Sequence, residues 1–390
     1  MIISRNLYCI TCFLIMLMLL NNSNFLPFKG IGLISMLFSF IIFLLVFIKQ
    51  GVFFNSEKKI LGIVLICFFY FFVIFIFSVK NIEAITRFFQ LFFLFFLVLF
   101  FARYAQLEKN KYEAIRLVFK YYLISSYFLS IWYLFSRIVG FNPYFNENFI
   151  GGWVLYSLIV GMFLFNSKFY KFFNFLFIMY ILNDTGARTS IVSAFIAILI
   201  LIFWNRFLSK GLFYFIYYVL NIFLSIFVIL FMTSRLSFFD IDALNLAMRD
   251  FSGKNLLSGR QDVWEEIIKM LPNHLIFGHG LGAKVQDYTN LPLSAHNLYL
   301  QVLFQTGILG LLIIFLVMTF IFIFIFKNKK HFLAKYLSSV FFIVLFTQNF
   351  EVTFSQNNIA LSLLFWILLG LGLGYFIRDK YEFTDSSSSK

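Results

Sequence analysis

Long apolar runs alternate with short polar segments along almost the whole chain. Nine runs lie at about 7–20, 31–48, 60–79, 88–102, 117–139, 149–165, 169–182, 190–204 and 212–232, and three follow at about 308–326, 332–348 and 358–377. Each run is close to, or somewhat shorter than, the ~20 residues that a helix needs to cross a bilayer. The pattern therefore predicts an all-α polytopic membrane protein with about twelve transmembrane helices.

One long polar interval, residues 233–296, separates the ninth run from the tenth. It contains three of the four histidines of the chain, His274, His279 and His296. We expect the chemistry in this interval, because it is the one long segment that the pattern keeps in water. The predicted organisation is transmembrane helices 1–9 in 1–232, an extracytoplasmic, partly helical catalytic loop in 233–296, helices 10–12 in 297–377 and a cytoplasmic tail in 378–390.

Composition supports the membrane assignment. The chain of 390 residues is 62% hydrophobic and 12% charged and contains 63 phenylalanines, whereas soluble domains carry roughly 25% charged residues. Cys9, Cys12 and Cys67 all lie in apolar runs. Their odd number and setting indicate small buried hydrophobic residues and no disulfide framework. The first run is followed by Asn21-Asn22-Ser23-Asn24 and not by a small-residue cleavage pattern, which predicts an uncleaved first span.

The positions of the basic residues predict the orientation. With the N-terminus inside, the predicted cytoplasmic segments hold 20 of the 31 Lys and Arg residues, the short outer loops hold 5 and the long interval holds 6. Short cytoplasmic loops are enriched in Lys and Arg, so both termini are predicted to be cytoplasmic and the interval extracytoplasmic. The net charge of +14 is then an anchoring pattern, and no basic-aromatic groove indicates nucleic acid as a partner.

A helix is predicted to begin near Arg260. Ser258 and Gln261 have the spacing of a capping box, which places Arg260 in the first turn. A guanidinium beside free N–H groups at a helix N-terminus suits a phosphate or pyrophosphate. The alternative is an exposed arginine paired with Asp262 or Glu265. The Gly278–Gly282 turn allows backbone to approach a ligand closely, but it follows no predicted strand and is not interpreted as a nucleotide loop.

His296 lies at the mouth of the tenth predicted span, where Ser294 can cap the helix that Asn297 begins. A neutral imidazole there can accept a proton from a hydroxyl near neutral pH. The alternative is a histidine that is only capped or hydrogen-bonded. The spacing of His274, His279 and His296 fits no common zinc pattern, so we predict no metal and no cofactor.

Arg188 directly precedes the apolar run at 190–204, where a charge must be paired, extend to the interface or have a function. The structural interpretation is an interfacial anchor, with Asp184 as its partner. The functional interpretation is a second cation that faces the same anionic ligand as Arg260.

These segments together resemble the bacterial O-antigen polymerase and O-antigen ligase superfamily. The resemblance rests on Gly186-Ala187-Arg188-Thr189-Ser190, Ser258-Gly259-Arg260 with Trp264, the Gly278-x-Gly280 turn, and His296-Asn297-x-Tyr299-Leu300 followed by Gly307-x-x-Gly310, in that order. It covers about 184–201 and 258–312, and the rest matches only in hydropathy. The architecture is also similar, with about twelve helices, a large outer loop between the ninth and tenth, and a GT-C-like fold.

The resemblance implies an inverting, metal-independent glycosyltransferase that acts on glycans carried by undecaprenyl pyrophosphate at the outer face of the plasma membrane. Arg188 and Arg260 would bind and stabilise the leaving pyrophosphate, and His296 would deprotonate or orient the acceptor hydroxyl. Trp264 would pack beneath Arg260 or stack on sugar, and Glu351 is a candidate for a second acid–base group. The remaining substrate-binding candidates are Gly259, His279, Asn297 and Tyr299.

Two activities share these motifs. A polymerase moves the growing O-antigen or capsule glycan onto a new lipid-linked repeat unit, whereas a ligase moves it onto lipid A-core. The forms of the motifs and the Phe-rich composition favour the polymerase. The expected partners are the lipid-linked donor and acceptor, membrane lipids, a chain-length regulator and a flippase. A flippase or other transporter is the alternative of another class, but transporters place ionisable residues near the bilayer midplane and usually show repeats.

Overall fold

The computed structural model describes most of the chain as helices. It covers residue 13 and residues 31–50, 69–78, 82–108, 112–140, 147–207, 210–232, 243, 246, 249–250, 260–291, 294–354 and 359–388. No β-strand occurs among these residues. The prediction of an all-α fold is therefore confirmed for the part that the structure covers.

Twelve α-helices are described. They are α1 (Ile31–Gln50), α2 (Ile82–Leu107), α3 (Glu113–Val139), α4 (Glu147–Leu164), α5 (Lys168–Asp184), α6 (Arg188–Phe207), α7 (Lys210–Tyr218), α8 (Leu224–Met232), α9 (Arg260–His274), α10 (Leu298–Lys327), α11 (Phe332–Thr347) and α12 (Ile359–Ser388). A π-helical turn (Val219–Phe223) joins α7 to α8, and a short 3₁₀ turn (Val285–Asp287) lies between α9 and α10.

Six of the helical segments are long and apolar enough to cross a membrane. They are Ile82–Leu107, Glu113–Val139, Arg188–Arg206, Gly211–Phe231, Leu298–Lys327 and Leu361–Asp379. Three shorter apolar segments lie at Ile34–Val46, Asn148–Leu164 and Phe332–Thr347. A multi-pass membrane protein is confirmed, and the number of twelve spans and the placement of the long loop stay predictions. The predicted first run and the three cysteines lie outside the described residues.

Close approach of small residues packs α12 against α2. A Cβ on Gly374 would lie 2.2 Å from the carbonyl oxygen of Ala102, and one on Gly370 would lie 2.5 Å from that of Val98. Helices in a bilayer gain little from hydrophobic association, so small residues that allow backbones to approach are a common way to pack them. This packing holds the last helix in the centre of the bundle, where Leu371 and Tyr375 are fully buried.

The contacts between loops divide into two groups. At one end, which we call the Glu351 end, Arg137 pairs with Asp184 at 2.9 Å and Lys284 with Glu83 at 2.7 Å. At the other, the His331 end, the rings of Phe163 and Tyr336 lie 5.1 Å apart and Tyr375 hydrogen-bonds Glu108. Helices that cross a bilayer alternately must collect their loops in this way, and the side that each end faces stays a prediction.

The π-helical turn is held by a polar network inside the bundle. Asn221 is 1% exposed; its Nδ2 donates to the Tyr217 hydroxyl at 2.9 Å, and its Oδ1 accepts from the Tyr299 hydroxyl at 2.9 Å. Tyr217 in turn shares a 2.7 Å hydrogen bond with Thr319. Buried polar groups need such partners. The network therefore fixes α7 and α8 against α10, only three residues beyond His296.

Candidate functional site

One carboxylate connects two distant parts of the chain at the Glu351 end. Glu351 Oε1 lies 3.2 Å from Arg260 Nη2, and Glu351 Oε2 lies 3.0 Å from His296 Nδ1. The three side chains are only 17%, 23% and 29% exposed for Arg260, Glu351 and His296 respectively. Arg260 therefore pairs with neither Asp262 nor Glu265. The two residues that the sequence placed in one site are brought together, and Glu351 is the group that joins them.

The N-terminus of α10 fixes His296. Asn297 caps the helix, since its Oδ1 accepts from Leu300 N at 3.0 Å, and the cap is Asn297 where the sequence favoured Ser294. The Asn297 amide also donates to Asn349 O at 3.0 Å, and Leu298 N donates to Gln348 O at 2.9 Å. These bonds attach the segment that carries His296 to the one that carries Glu351.

The backbone of His296 is strained, with a φ of 45°. A residue with a Cβ is uncommon at positive φ, and where one occurs the surroundings must enforce it. The carbonyl of the preceding residue supplies part of that constraint, because Trp264 Nε1 donates to Ala295 O at 2.6 Å. Trp264 is fully buried. It acts as a fixed link between α9 and the turn at His296.

The inner face of α9 explains where Arg260 lies. Val263, Trp264 and Ile267 are buried at helical spacing and pack with Leu300 and Phe304 of α10. This apolar stripe fixes the rotation of the helix, so Arg260 at its first turn comes to lie beside Glu351. Burial and the nearby positive charge of Arg188 lower the pKa of Arg260, whereas Glu351 acts in the opposite direction.

Arg188 begins α6 at the same end of the molecule. After burial, its charge is a further cause of the lowered pKa of Arg260, so the two guanidinium groups share one electrostatic environment. Asp184, the partner of Arg188 in the structural interpretation, accepts a 2.9 Å bond from Arg137 at the end of α3. Two nearby cations favour an anion between them.

A pocket opens beside Glu351. It is small, with a cavity volume of about 40 Å³, and it runs between α4, α6, α11 and the start of α12. Its polar lining comes from Asn148, Thr189, Ser190, Thr347, Glu351 and Thr353. Thr189 and Ser190 directly follow Arg188, so the first turn of α6 supplies hydroxyl and helix N-terminal groups to the same space.

The two nitrogens of His296 differ. Nδ1 contacts Glu351 at 3.0 Å, and Nε2 makes no hydrogen bond with the residues that the structure covers. With the proton on Nδ1, the imidazole donates to the carboxylate and keeps a lone pair on Nε2. An imidazole oriented by a carboxylate in this way can act as a general base.

Three of the predicted substrate-binding residues have structural roles. Trp264 and Asn297 are 0% exposed and Tyr299 is 2% exposed, so none of them offers a face to a sugar in this structure. Their polar atoms hold the site: Trp264 and Asn297 as described above, and Tyr299 through Asn221. Gly259 lies outside the described residues, as does Ser258 of the predicted capping box.

The glycine turn after α9 packs closely against other segments of the protein. The helix α10 breaks at Gly307, where φ is 67° and ψ is −168°, and the freed carbonyls of Phe304 and Gln305 accept from His279 N at 2.8 Å and Gly280 N at 2.9 Å. A Cβ on Gly278 would lie 2.5 Å from Gln305 C, and one on Gly307 2.1 Å from Ile276 O. The turn thus packs against α10, which fixes His279 beyond the C-terminal end of α9, whereas Arg260 with its partner Glu351 lies at the N-terminal end. Close approach of this turn to a ligand stays a prediction.

Comparison with known proteins identifies the region that holds these residues. Residues 172–315 match the model of a family described as O-antigen ligase. The matched segment includes Arg188, Arg260 and His296 but ends before Glu351. No curated protein matches the chain.

Proposed function

We propose, from the match of residues 172–315 to the family described as O-antigen ligase, that this chain is a membrane glycosyltransferase that polymerises lipid-linked repeat units into surface polysaccharide, O-antigen or capsule. The donor is a glycan on undecaprenyl pyrophosphate, and the acceptor is a second lipid-linked repeat unit. The reaction takes place at the extracytoplasmic face of the bacterial plasma membrane. The observation that carries the proposal is the Arg260–Glu351–His296 arrangement beside a pocket.

The chemistry is a single displacement. His296 Nε2 takes the proton of the acceptor hydroxyl while its oxygen attacks the anomeric carbon of the donor, and the bond from that carbon to the pyrophosphate oxygen breaks. The sugar configuration inverts, because attack and departure occur on opposite faces. Glu351 stabilises the imidazolium that forms, as the carboxylate does in other carboxylate–histidine pairs.

The leaving pyrophosphate gains charge as the bond breaks. Arg260 and Arg188 supply two positive charges at the end of the pocket, and fixed charges that act on a developing anion are often the largest catalytic contribution. Guanidinium groups bind phosphate oxygens through two hydrogen bonds at once. We therefore propose that these arginines replace a metal ion, so that the reaction is metal-independent and needs no cofactor.

The polymerase is favoured over the ligase by the forms of the motifs, Ser-Gly-Arg-x-x-x-Trp and His-Asn-x-Tyr-Leu. A ligase would use the same three residues and take lipid A-core as acceptor. A flippase forms no glycosidic bond and so has no acceptor hydroxyl to deprotonate, and an imidazole oriented by Glu351 favours bond formation over transport. A flippase and a chain-length regulator are proposed as partners of the pathway.

The test uses the purified protein in lipid nanodiscs with the lipid-linked repeat unit of its own host. Arg260→Lys keeps the charge but loses the planar fork, and we expect product formation to fall by about 10² or more. Arg206→Lys is the matched control, since Arg206 is an exposed residue at the end of α6 farther from Arg188. Equal rates in both variants would contradict the anion site.

The acceptor decides between the two activities. Products that lengthen by whole repeat units, with release of undecaprenyl pyrophosphate, establish the polymerase. Transfer only when lipid A-core is supplied would establish the ligase. Movement of the donor across the membrane without any new glycosidic bond would overturn both.

A further inference from the structure

A second pocket lies at the opposite end of α9 from Glu351. It has a cavity volume of about 450 Å³ and lies between the helix at 69–77, the C-terminal end of α9 and the glycine turn. Its polar lining residues are Asn273, His274, His279 and Tyr288. Because α9 rises about 1.5 Å per residue, the fourteen steps from Arg260 to His274 separate this pocket from the arginine by about 20 Å.

Aromatic rings form a stack along one wall of this pocket. The ring centroids of His274 and His279 lie 4.1 Å apart, and those of His279 and Tyr288 lie 4.7 Å apart. Fully buried Phe304 supports them, with its centroid 4.5 Å from that of His279. The hydrogen bonds that hold His279 N and Gly280 N to α10 fix this wall in place. The surface is therefore built before any ligand arrives.

The lining of this pocket does not suit a pyrophosphate, the ligand proposed for the Glu351 end. No Lys, Arg, Asp or Glu occurs among the described residues that line this pocket. Burial, together with the neighbouring His274, lowers the pKa of His279 below the ordinary value of 6.5, so its imidazole is neutral near pH 7. A phosphate would require cations. A ligand here must be uncharged, and it must still use polar groups.

Polar groups converge on the space that the rings enclose. His279 Nε2 is buried and has no hydrogen-bond partner within the described part of the chain, and a buried polar atom without a partner is costly. The amide of Asn273 and the hydroxyl of Tyr288 border the same pocket. A lipid tail would use none of these groups. A ring with one apolar face and several hydroxyls, which is the chemistry of a sugar, uses both the rings and the polar atoms.

We propose that this pocket binds an uncharged sugar unit of the glycan, at a point about 20 Å along α9 from the pyrophosphate site. The identification of this ligand as part of a glycan rests on the proposed function. A chain held there stays on the protein between additions, so the pocket sets how many repeat units are added before release. His274, His279 and Tyr288 are binding residues at this pocket and take no part in the bond-forming step.

The direct test is protection from carbethoxylation by diethyl pyrocarbonate, which modifies neutral imidazoles. The probe is the soluble repeat-unit oligosaccharide that mild acid releases from the host's lipid-linked intermediate, and the protein is in nanodiscs because sugar detergents would compete. Mass spectrometry follows each histidine separately. We expect the oligosaccharide to slow modification of His274 and His279 at least fivefold and to leave His331 unchanged.

Variants separate this site from the catalytic one. Tyr288→Ala should weaken protection by about tenfold and shorten the polysaccharide ladder. Arg260→Ala should abolish product formation but keep the protection. No protection at any soluble concentration of the oligosaccharide, or protection by phosphatidylglycerol vesicles in its place, would overturn the sugar site. Protection together with a fully active Arg260→Ala would instead overturn the proposed catalytic site.

Discussion

At both ends of the helical bundle a histidine contacts a carboxylate, but the two histidines differ in how many of their ring nitrogens form hydrogen bonds. At the His331 end, Nδ1 of His331 accepts from Leu333 N at 3.2 Å and Nε2 lies 3.1 Å from Asp379. At the Glu351 end, Nδ1 of His296 contacts Glu351 at 3.0 Å, and Nε2 has no bonded partner among the residues described. A histidine whose two ring nitrogens both form hydrogen bonds stabilises the fold. A histidine with one ring nitrogen that forms no hydrogen bond can accept or donate a proton in a reaction.

The surroundings of the two carboxylates differ as well. Glu351 borders a pocket and pairs with Arg260. Asp379 borders neither of the two pockets described above, and its neighbour Arg378 donates to the backbone carbonyls of Ala105 and Glu108. The charges at the His331 end therefore tie helices together, whereas those at the Glu351 end adjoin a pocket. The same residue types therefore have different roles at the two ends because their surroundings differ.

The largest expected effect separates the two histidines. His296→Ala should lower the rate of product formation by about 10²–10⁴, the usual contribution of general acid–base catalysis, and His296→Gln, which cannot titrate, should not restore it. His331→Ala should keep the rate per folded molecule but lose about 1 kcal/mol of stability, because it removes the N-cap of α11. Single-turnover assays and thermal unfolding measure the two. A normal rate in His296→Gln would leave His296 only an orienting role.

A smaller effect is expected for the two carboxylates. Glu351→Gln keeps the size of the side chain but removes the charge that faces Arg260 and His296, and we expect a rate lower by about 10²-fold. Asp379→Asn should change the melting temperature and not the rate per folded molecule. The comparison fails if Asp379→Asn inactivates the enzyme as strongly as Glu351→Gln at equal amounts of folded protein.

The smallest effect concerns two buried aromatic donors. Trp264→Phe keeps the packing but leaves Ala295 O without its 2.6 Å bond, which should cost about 1–3 kcal/mol. It should also lower the rate severalfold, because His296 follows Ala295 directly. Tyr375→Phe removes the corresponding bond to Glu108 and should affect unfolding alone. Urea unfolding and the rate of single addition are measured on both, and a loss of rate in Tyr375→Phe alone would reverse the assignment.

The sequence predicted the members of the site better than their contacts. Arg260 and His296 were recognised from local signals, a helix start and the edge of a span, which lie within a few residues. Glu351 joins them across 91 and 55 positions. No pattern along the chain specifies that contact, since it depends on how α9, α10 and α11 pack. Glu351 was therefore a weaker candidate, although it is the centre of the arrangement.

Distance along the chain is a poor guide to contacts between helices. Asp184 is four residues from Arg188 and was its partner in the structural interpretation, but the end of α3 brings Arg137 to Asp184. The glycine turn was predicted to let backbone approach a ligand, and Gly278, Gly280 and Gly282 all have positive φ. In the structure Gly278 approaches the break in α10, whereas Gly280 approaches Ser78 and Gly282 approaches Ala84. A break at Gly307 inside an apolar run leaves no signal in hydropathy.

The π-helical turn at Val219–Phe223 makes this part of the chain unusually tolerant of a single deletion. Each residue advances an α-helix by about 100° of rotation, and the wide turn accommodates one residue more than an α-helical path between the same ends. Deleting one residue from it would therefore convert α7 and α8 into one regular helix and leave Val228 in the apolar cluster that also holds Val263 and Ile267 of α9. Reading-frame-preserving deletion of a single codon should accordingly be tolerated better between codons 219 and 223, Asn221 excepted, than within the regular helix α11.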